Sequence, residues 1–311
     1  MKLLVTGGTG FLGKHLVEAM NKSYLCTQNV WVPSSRELDL NDWEESYDAM
    51  LRYQPDVILH MAAKCGGILA NRNSPADFLH ANLDMASLVY HTARQLKCAV
   101  YTLGSVCAYP KFCPVPFSED DIWNGYPEET NAPYGIAKRV QLLLGQTYRL
   151  QYGIKGAHLI PVNMYGEYDH FDLTNSHVIP ALIRKFDDAI VNDKPQVECW
   201  GTGEATREFL YAADCAEAIV SAIEQRLDTD LPINLGTGKE ISIKDLANLI
   251  GDLMGYKGDI VFTRNVSDGQ PRRMLDVTRA KAVLGWRAST EFKTGLTRTI
   301  EWYRANKRQI I

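Results

Sequence analysis

The first thirteen residues leave this chain few folds to choose from. Lys2-Leu3-Leu4-Val5-Thr6 is an apolar run of the length of one buried strand. It passes directly into Gly7-Gly8-Thr9-Gly10-Phe11-Leu12-Gly13 and then into an amphipathic pattern that predicts a helix. Strand, glycine loop and helix in that order form a cradle for a dinucleotide. The glycines allow a tight turn and let the backbone approach a pyrophosphate, and the helix N-terminus offers free amides to the anion. Gly7, Gly10, Phe11, Leu12 and Gly13 are therefore candidate cofactor residues. Read by itself, the glycine triplet also suits a purely structural strand-to-helix turn. No Lys-Ser/Thr pair follows the last glycine, so the loop is not a P-loop.

Beyond the loop, short apolar runs alternate with helical patterns. Strands are expected at 57–61, 100–103, 157–160 and 232–235, and helices of about five turns at 75–96 and 134–151. This alternation predicts an α/β fold with a parallel, doubly wound sheet. After Gly166 the pattern turns polar, a helix opens at 176–180, a small strand fits 196–200, and another helix fits 242–254. The chain is expected to return to the main sheet near 207–210 and at 232–235. The division that follows is a cofactor-binding domain over 1–166 with returning segments near 207–238. A smaller, discontinuous α/β substrate domain would take 167–206 and 239–311, with the substrate in the crevice between them. The two long helices carry apolar residues on more than one face, which suits packing between subunits as a homodimer.

Composition narrows the function classes. A formal charge of -4 and a pI near 6.0 give no basic footprint for nucleic acid. No apolar run approaches the length that spans a membrane, and residues 1–13 already read as fold and leave no room for a signal peptide, so a cytoplasmic protein is expected. The seven cysteines are odd in number and lack CxxC spacing, which argues against a disulfide framework or a metal site.

The identity of the dinucleotide is read at the end of the second strand, 29–32. No carboxylate follows there. Pro33-Ser34-Ser35-Arg36 offers hydroxyls and a guanidinium, which suit a 2′-phosphate, so NADP(H) is favoured over NAD, with Asp39 within reach of the adenine side. Arg36 also fits a solvated loop residue.

Proton-handling groups cluster between 103 and 138. Tyr134 and Lys138 are four apart, one turn on the same helix face, and a neighbouring ammonium would favour phenolate. Ser105, at the end of the strand 100–103, can hydrogen-bond a carbonyl oxygen as charge develops on it. Cys107 follows two residues later. Taken singly, YxxxK recurs on surface helices, Cys107 suits a small buried filler, and His177 suits a helix-start histidine.

Several segments in order carry a resemblance to the extended short-chain dehydrogenases/reductases, and within them to the 3,5-epimerase/4-reductases of GDP-4-keto-6-deoxymannose. They are Ala62-Ala63-Lys64-Cys65-Gly66-Gly67-Ile68, Leu103-Gly104-Ser105-Val106-Cys107-Ala108-Tyr109-Pro110-Lys111, Asn175-Ser176-His177-Val178-Ile179-Pro180-Ala181-Leu182, and Trp200-Gly201-Thr202-Gly203 followed by Arg207-Glu208-Phe209-Leu210. The resemblance implies a Rossmann-type fold and a bifunctional enzyme that inverts C3 and C5 and then reduces the C4 ketone with NADPH, giving GDP-L-fucose. It implies Ser105, Tyr134 and Lys138 as the reductase triad and Cys107 and His177 as the epimerising pair. It adds Leu40, Ala62, Ala63, Lys64, Pro161, Met164 and His177 to the cofactor residues. Ser105, Val106, Cys107, Asn163, Lys185, Trp200 and Arg207 are implied as contacts to a GDP-linked 4-keto-sugar. Apart from the resemblance, Arg272 and Arg273 in Gly269-Gln270-Pro271-Arg272-Arg273 offer further nucleotide contacts, and the same basic loop also fits a merely solvated one.

Three departures bear on the sugar. Val106 and Ala108 stand where the family has Ser and Ile, Lys185 where it has Arg, and Glu167 where it has Pro. A reductase or an epimerase acting alone on a related GDP-4-keto deoxyhexose or heptose is the alternative, with a non-catalytic dinucleotide-binding scaffold after it.

Overall fold

A computed structural model of the chain describes residues 1–173, 176–263 and 269–310. The opening strand β1 (Lys2–Thr6) feeds α1 (Phe11–Asn21), and then come β2 (Asn29–Trp31), α2 (Trp43–Tyr53), β3 (Val57–His60), α3 (Ile68–Asn73) and α4 (Pro75–Leu96). Next are β4 (Ala99–Leu103), α5 (Ala132–Tyr152), β5 (Gly156–Pro161), β6 (Asn163–Tyr165), α6 (Val178–Val191), β7 (Gln196–Trp200) and β8 (Thr206–Tyr211). The remainder is α7 (Ala212–Glu224), β9 (Ile233–Leu235), β10 (Glu240–Ser242), α8 (Ile243–Met254), β11 (Asp259–Thr263), β12 (Arg272–Arg273), α9 (Thr278–Leu284) and α10 (Phe292–Ile310).

Six strands form a parallel sheet in the order β2-β1-β3-β4-β5-β9. Its strands are apolar almost throughout because helices cover both faces: β3 and β5 are buried at every position. The order reverses between β1 and β3, which opens a crevice at their C-terminal ends, the place where doubly wound sheets bind ligands. Two hydroxyl–imidazole bonds stitch the sheet beneath that crevice. Thr6 Oγ1 meets His60 Nδ1 across β1 and β3, and Thr102 Oγ1 meets His158 Nδ1 across β4 and β5, each at 2.8 Å. Burial holds both imidazoles down to about 3, so they are neutral packing groups.

A second apolar core joins Tyr165, Phe171 and Phe186 to the inner faces of α6, α8 and α10. Above it, β8 pairs with β6 and β12 in parallel and with β10 antiparallel, while β7 pairs with β11. The expectation that 207–210 rejoins the main sheet is corrected here: β8 is the spine of this separate small sheet. The residue pattern could not decide between the two, because Phe209 and Tyr211 face the second core while Leu210 faces the first, and a strand shared by two cores looks like one buried in either. The stretch from Leu275 through α9, assigned by pattern to the smaller unit, packs on the main core beside α7 and β9.

Glu208 ties these pieces together. Its side chain is fully buried and accepts backbone N–H groups from Thr237, from Gly238 at 2.7 Å and from Leu275 at 2.7 Å. Burial raises the carboxyl while the backbone donors oppose the shift. Among the described residues, no helix is long and apolar enough to cross a membrane.

Candidate active site

The glycine loop fits a pyrophosphate. Gly7 adopts φ +75°, and a Cβ there would lie 2.6 Å from the backbone N of Ala62. The loop therefore closes onto the end of β3 as only glycine permits. Gly10 caps α1 with no side-chain bond, so the first amides of the helix, through Phe11, Leu12 and Gly13, have no competing side-chain acceptor. The 62–64 segment is pinned from α4: Asn82 accepts from Lys64 N at 3.2 Å and donates to Lys64 O at 2.9 Å, and Lys64 Nζ pairs with Asp77 at 2.8 Å. Leu12 and Leu40 are buried, which leaves their main chain to face a ligand. Pro161 ends β5, and Met164, half-buried in β6, packs against the main core.

At the tip of β2 the fold adds a feature absent from the linear reading. Glu37 turns back so that its carboxylate accepts both the N–H and the hydroxyl of Ser34 at 2.8 Å each, which holds the carboxyl below its ordinary range. A carboxylate thus does sit at the strand tip, beside exposed Arg36. Asp39 accepts two bonds from Asn41, at 3.0 and 2.8 Å.

Ser105, Cys107, Tyr134 and Lys138 converge at the C-terminal end of β4. Ser105 Oγ accepts Cys107 N at 3.2 Å and so caps the single 3-10 turn Val106–Ala108. That turn is pressed against the start of α5: a Cβ on Gly135 would fall 2.3 Å from the carbonyl oxygen of Cys107. Arg139 of α5 holds the same turn through Ala108 O at 2.5 Å. Val106 itself points into the main core, so only its backbone can face the cleft. Tyr134 lies edge-on to Phe78 of α4, with ring centroids 6.5 Å apart.

Lys138 is buried, and its Nζ donates to Leu103 O at 2.9 Å and Gln141 Oε1 at 3.1 Å while lying 5.9 Å from the Tyr134 ring centre. Burial brings the ammonium down to about 8. The expectation that this cation would depress the phenol is not met. Burial pushes Tyr134 well up, Cys65 and Cys107 add to the rise, and only a bond from Ser105 opposes it. The reason is that removal of the phenol from water penalises phenolate more than a cation sharing the same dry site favours it. The phenol is accordingly fixed as a proton donor.

His177 is the N-cap residue of α6, but its imidazole makes no capping bond. The residue is exposed by surface area, yet desolvation by the protein around it, with a smaller effect of His170, holds its imidazole below the ordinary value. Asn175 of the same sequence segment lies outside the described residues. Asn163 is engaged with Glu208 O at 2.9 Å. Lys185 and Trp200 come together, the ammonium 4.9 Å over the indole, with Nζ also donating to Glu198 O at 2.9 Å. Arg207 donates to Thr206 O at 2.7 Å.

The two adjacent arginines of β12 separate. Successive strand residues point to opposite faces, and Arg272 forks onto the Glu240 carboxylate at the exposed side of the small sheet. Arg273 turns inward and sets Nη1 3.6 Å from the sulfur of Cys107. The residue pattern offers both arginines to the nucleotide alike and gives no sign of Asp169. That carboxyl is buried, accepts His170 N at 2.7 Å through Oδ1, and has no partner for Oδ2 among the described residues. Burial raises it to about 7.

A family model described as the NAD dependent epimerase/dehydratase family matches residues 3–236. A GDP-L-fucose synthase of Sinorhizobium fredii is 39% identical over 98% of this chain and 96% of that protein. A GDP-L-colitose synthase of Yersinia pseudotuberculosis is 36% identical over 97% and 98% respectively. Among solved structures, a GDP-6-OMe-4-keto-L-xylo-heptose reductase from C. jejuni superposes with a TM-score of 0.89 at 27% identity, covering 98% of each chain. A dinucleotide cradle, a Ser-Tyr-Lys constellation and end-to-end similarity to these proteins place the chain in the NAD dependent epimerase/dehydratase family, as an extended short-chain dehydrogenase/reductase of the group that contains the GDP-L-fucose synthases.

Proposed function

We propose that the protein converts GDP-4-keto-6-deoxy-D-mannose to GDP-L-fucose, inverting C3 and C5 and then reducing the C4 ketone with NADPH. The observation that carries the reading is the junction of the Cys107 turn with the Tyr134 helix, which sets a thiol, a hydroxyl and a protonated phenol at one strand end. Hydrogens on carbons beside the ketone are acidic because the electron pair left behind spreads onto the C4 oxygen. Cys107 and His177, one as base and one as acid, exchange them on opposite faces of the ring. The Ser105 and Tyr134 hydroxyls meet the oxygen as it gains charge. The bound cofactor supplies hydride to C4. Tyr134 gives its proton to the C4 oxygen, and Lys138, with a proton left beyond its two bonds, holds the nicotinamide ribose and offsets the phenolate that results. Lys185, Trp200 and Arg207 receive the nucleoside diphosphate, the half-buried Lys185 and Arg207 as cations and the exposed Trp200 as a stacking face. The protein acts in the cytoplasm as a homodimer, with the outward side of α5, where Leu143 and Leu150 are exposed, in the contact.

The deciding experiment is incubation with this substrate and NADPH in D2O, followed by absorbance and NMR of the product. Deuterium at both C3 and C5 of a reduced product is expected. Reduction without deuterium would sink the bifunctional reading and leave a 4-reductase. That second reading has support in the heptose reductase and the colitose synthase among the similar proteins, and the same assay with a GDP-4-keto-heptose tests it.

A further inference from the structure

Arg273 has no sequence-assigned part in the proton chemistry, yet its surroundings are built around one atom of that chemistry. The side chain is 8% exposed. Nε donates to Gln270 Oε1 at 3.1 Å, and Nη1 reaches Cys107 Sγ at 3.6 Å. Gln270 is buried as well, and its amide nitrogen donates to Pro110 O at 3.2 Å and Lys111 O at 2.8 Å. The contacts close a ring: the chain leaving the Cys107 turn holds Gln270, Gln270 holds the guanidinium, and the guanidinium returns to the thiol. Among the described residues Arg273 forms no ion pair with a carboxylate. A guanidinium removed from water and bonded only to a neutral amide lacks a counter-charge, and the sulfur of Cys107 is the group in position to provide one.

We propose that Arg273 is a positioning residue for Cys107, its buried guanidinium fixing the sulfur in place and favouring its thiolate. The proposal rests on the reading of Cys107 as one member of the epimerising pair. In the step it supports, the thiolate takes the hydrogen from the carbon beside the ketone. An S–H bond forms, the C–H bond breaks, and its electron pair becomes the enolate, with the negative charge on the C4 oxygen. The proton returned to the opposite face comes from His177 in its imidazolium form, which leaves a thiol and a neutral imidazole; exchange with solvent carries the proton from sulfur back to the ring before the second inversion. The guanidinium fixes where the sulfur sits as well as its charge, because its Nε is held by Gln270, whose amide is in turn anchored to Pro110 and Lys111 just beyond the cysteine.

The test is the rate at which iodoacetamide, which reacts with thiolate, alkylates Cys107 in the full-length protein, followed by peptide mass spectrometry in the parent, Arg273→Gln and Arg273→Lys. Removal of an adjacent opposite charge is expected to slow the reaction about tenfold in Arg273→Gln, with most of the rate recovered in Arg273→Lys. Deuterium exchange at C3 and C5 should slow in the same order while NADPH affinity stays unchanged. Parent-like alkylation in a folded Arg273→Gln overturns the proposal. Should that variant fail to fold, the parent alone answers: the preference for anionic iodoacetate over neutral iodoacetamide must be higher at Cys107 than at exposed Cys26, and an equal preference overturns it. Alkylation requires no sugar. Failure of the substrate reading therefore appears as no turnover with the alkylation pattern intact, and failure of the present proposal as turnover with the pattern absent.

Discussion

Replacing Asp169 with Asn should stabilise the ligand-free protein increasingly as pH rises through the window from 3.8 to about 7. Asp169 is buried, its Oδ2 has no partner among the described residues, and burial raises the carboxyl from 3.8 to about 7. A carboxyl raised on folding binds its proton more tightly in the native chain than in the unfolded one. Between the two values the native state holds the proton and the unfolded state does not, so stability falls as pH rises through that window. At 1.36 kcal/mol for each tenfold difference, the full window from 3.8 to about 7 corresponds to at most about 4 kcal/mol, of which about 3 kcal/mol lies above pH 5. Asn keeps an oxygen for the bond from His170 N and cannot ionise. Urea unfolding at pH 5 and pH 8.5 should therefore show Asp169→Asn gaining up to about 3 kcal/mol on the parent between the two conditions. A gain of the same size at both pH values would refute the reasoning, because it would mean that packing and not ionisation sets the difference.

Tyr134→Phe should lower single-turnover NADPH oxidation by about 10²- to 10⁴-fold, the range of a lost general acid, while deuterium still enters C3 and C5. Loss of exchange together with reduction would tie Tyr134 to both reactions. Lys138, held at about 8, below its ordinary 10.5, loses its charge as pH rises through 8; reduction should decline above that point, and an activity plateau extending to pH 10 in stopped-flow measurements would contradict it. Gly135→Ala places a methyl 2.3 Å from the Cys107 carbonyl, which should cost about 1–3 kcal/mol in urea unfolding as overpacking does, and exchange at C3 and C5 should suffer more than NADPH binding. Unchanged stability would show that the turn has room to move.

Much of this arrangement was legible in the residues because it is local. The cradle needs only a strand, spaced glycines and a helix start, all within thirteen residues, and Tyr134 and Lys138 share a helix face by simple geometry. What stayed hidden depends on distant partners. The Arg273–Cys107 contact spans 166 positions, and the residue pattern signals only that one of two adjacent strand arginines must face inward, without saying which. Glu37 reaches the tip of β2 through a turn that no periodicity announces. The electrostatic expectation for Tyr134 failed for a related reason: helix spacing gives the distance to Lys138 but not the dryness of the site, and dryness decided the outcome. The assignment of 207–210 to the main sheet failed because one strand serves two cores.

The bonds made by Glu208 also set a timetable for the nascent chain. The carboxylate is placed on β8, but two of its donors follow about thirty positions later and the third, Leu275 N, follows by 67. During translation from the N-terminus, the cradle for the dinucleotide and the Ser105–Lys138 constellation emerge long before that last donor leaves the ribosome. Until it does, Glu208 keeps an unfilled lone pair, β12 has no place beside β8, and Cys107 lacks the wall that Arg273 provides. The growing polypeptide thus completes its dinucleotide loop well before the surroundings of the cysteine, and because Leu275 and α9 also belong to the main core, a product truncated ahead of β12 would lack both the wall beside Cys107 and part of that core.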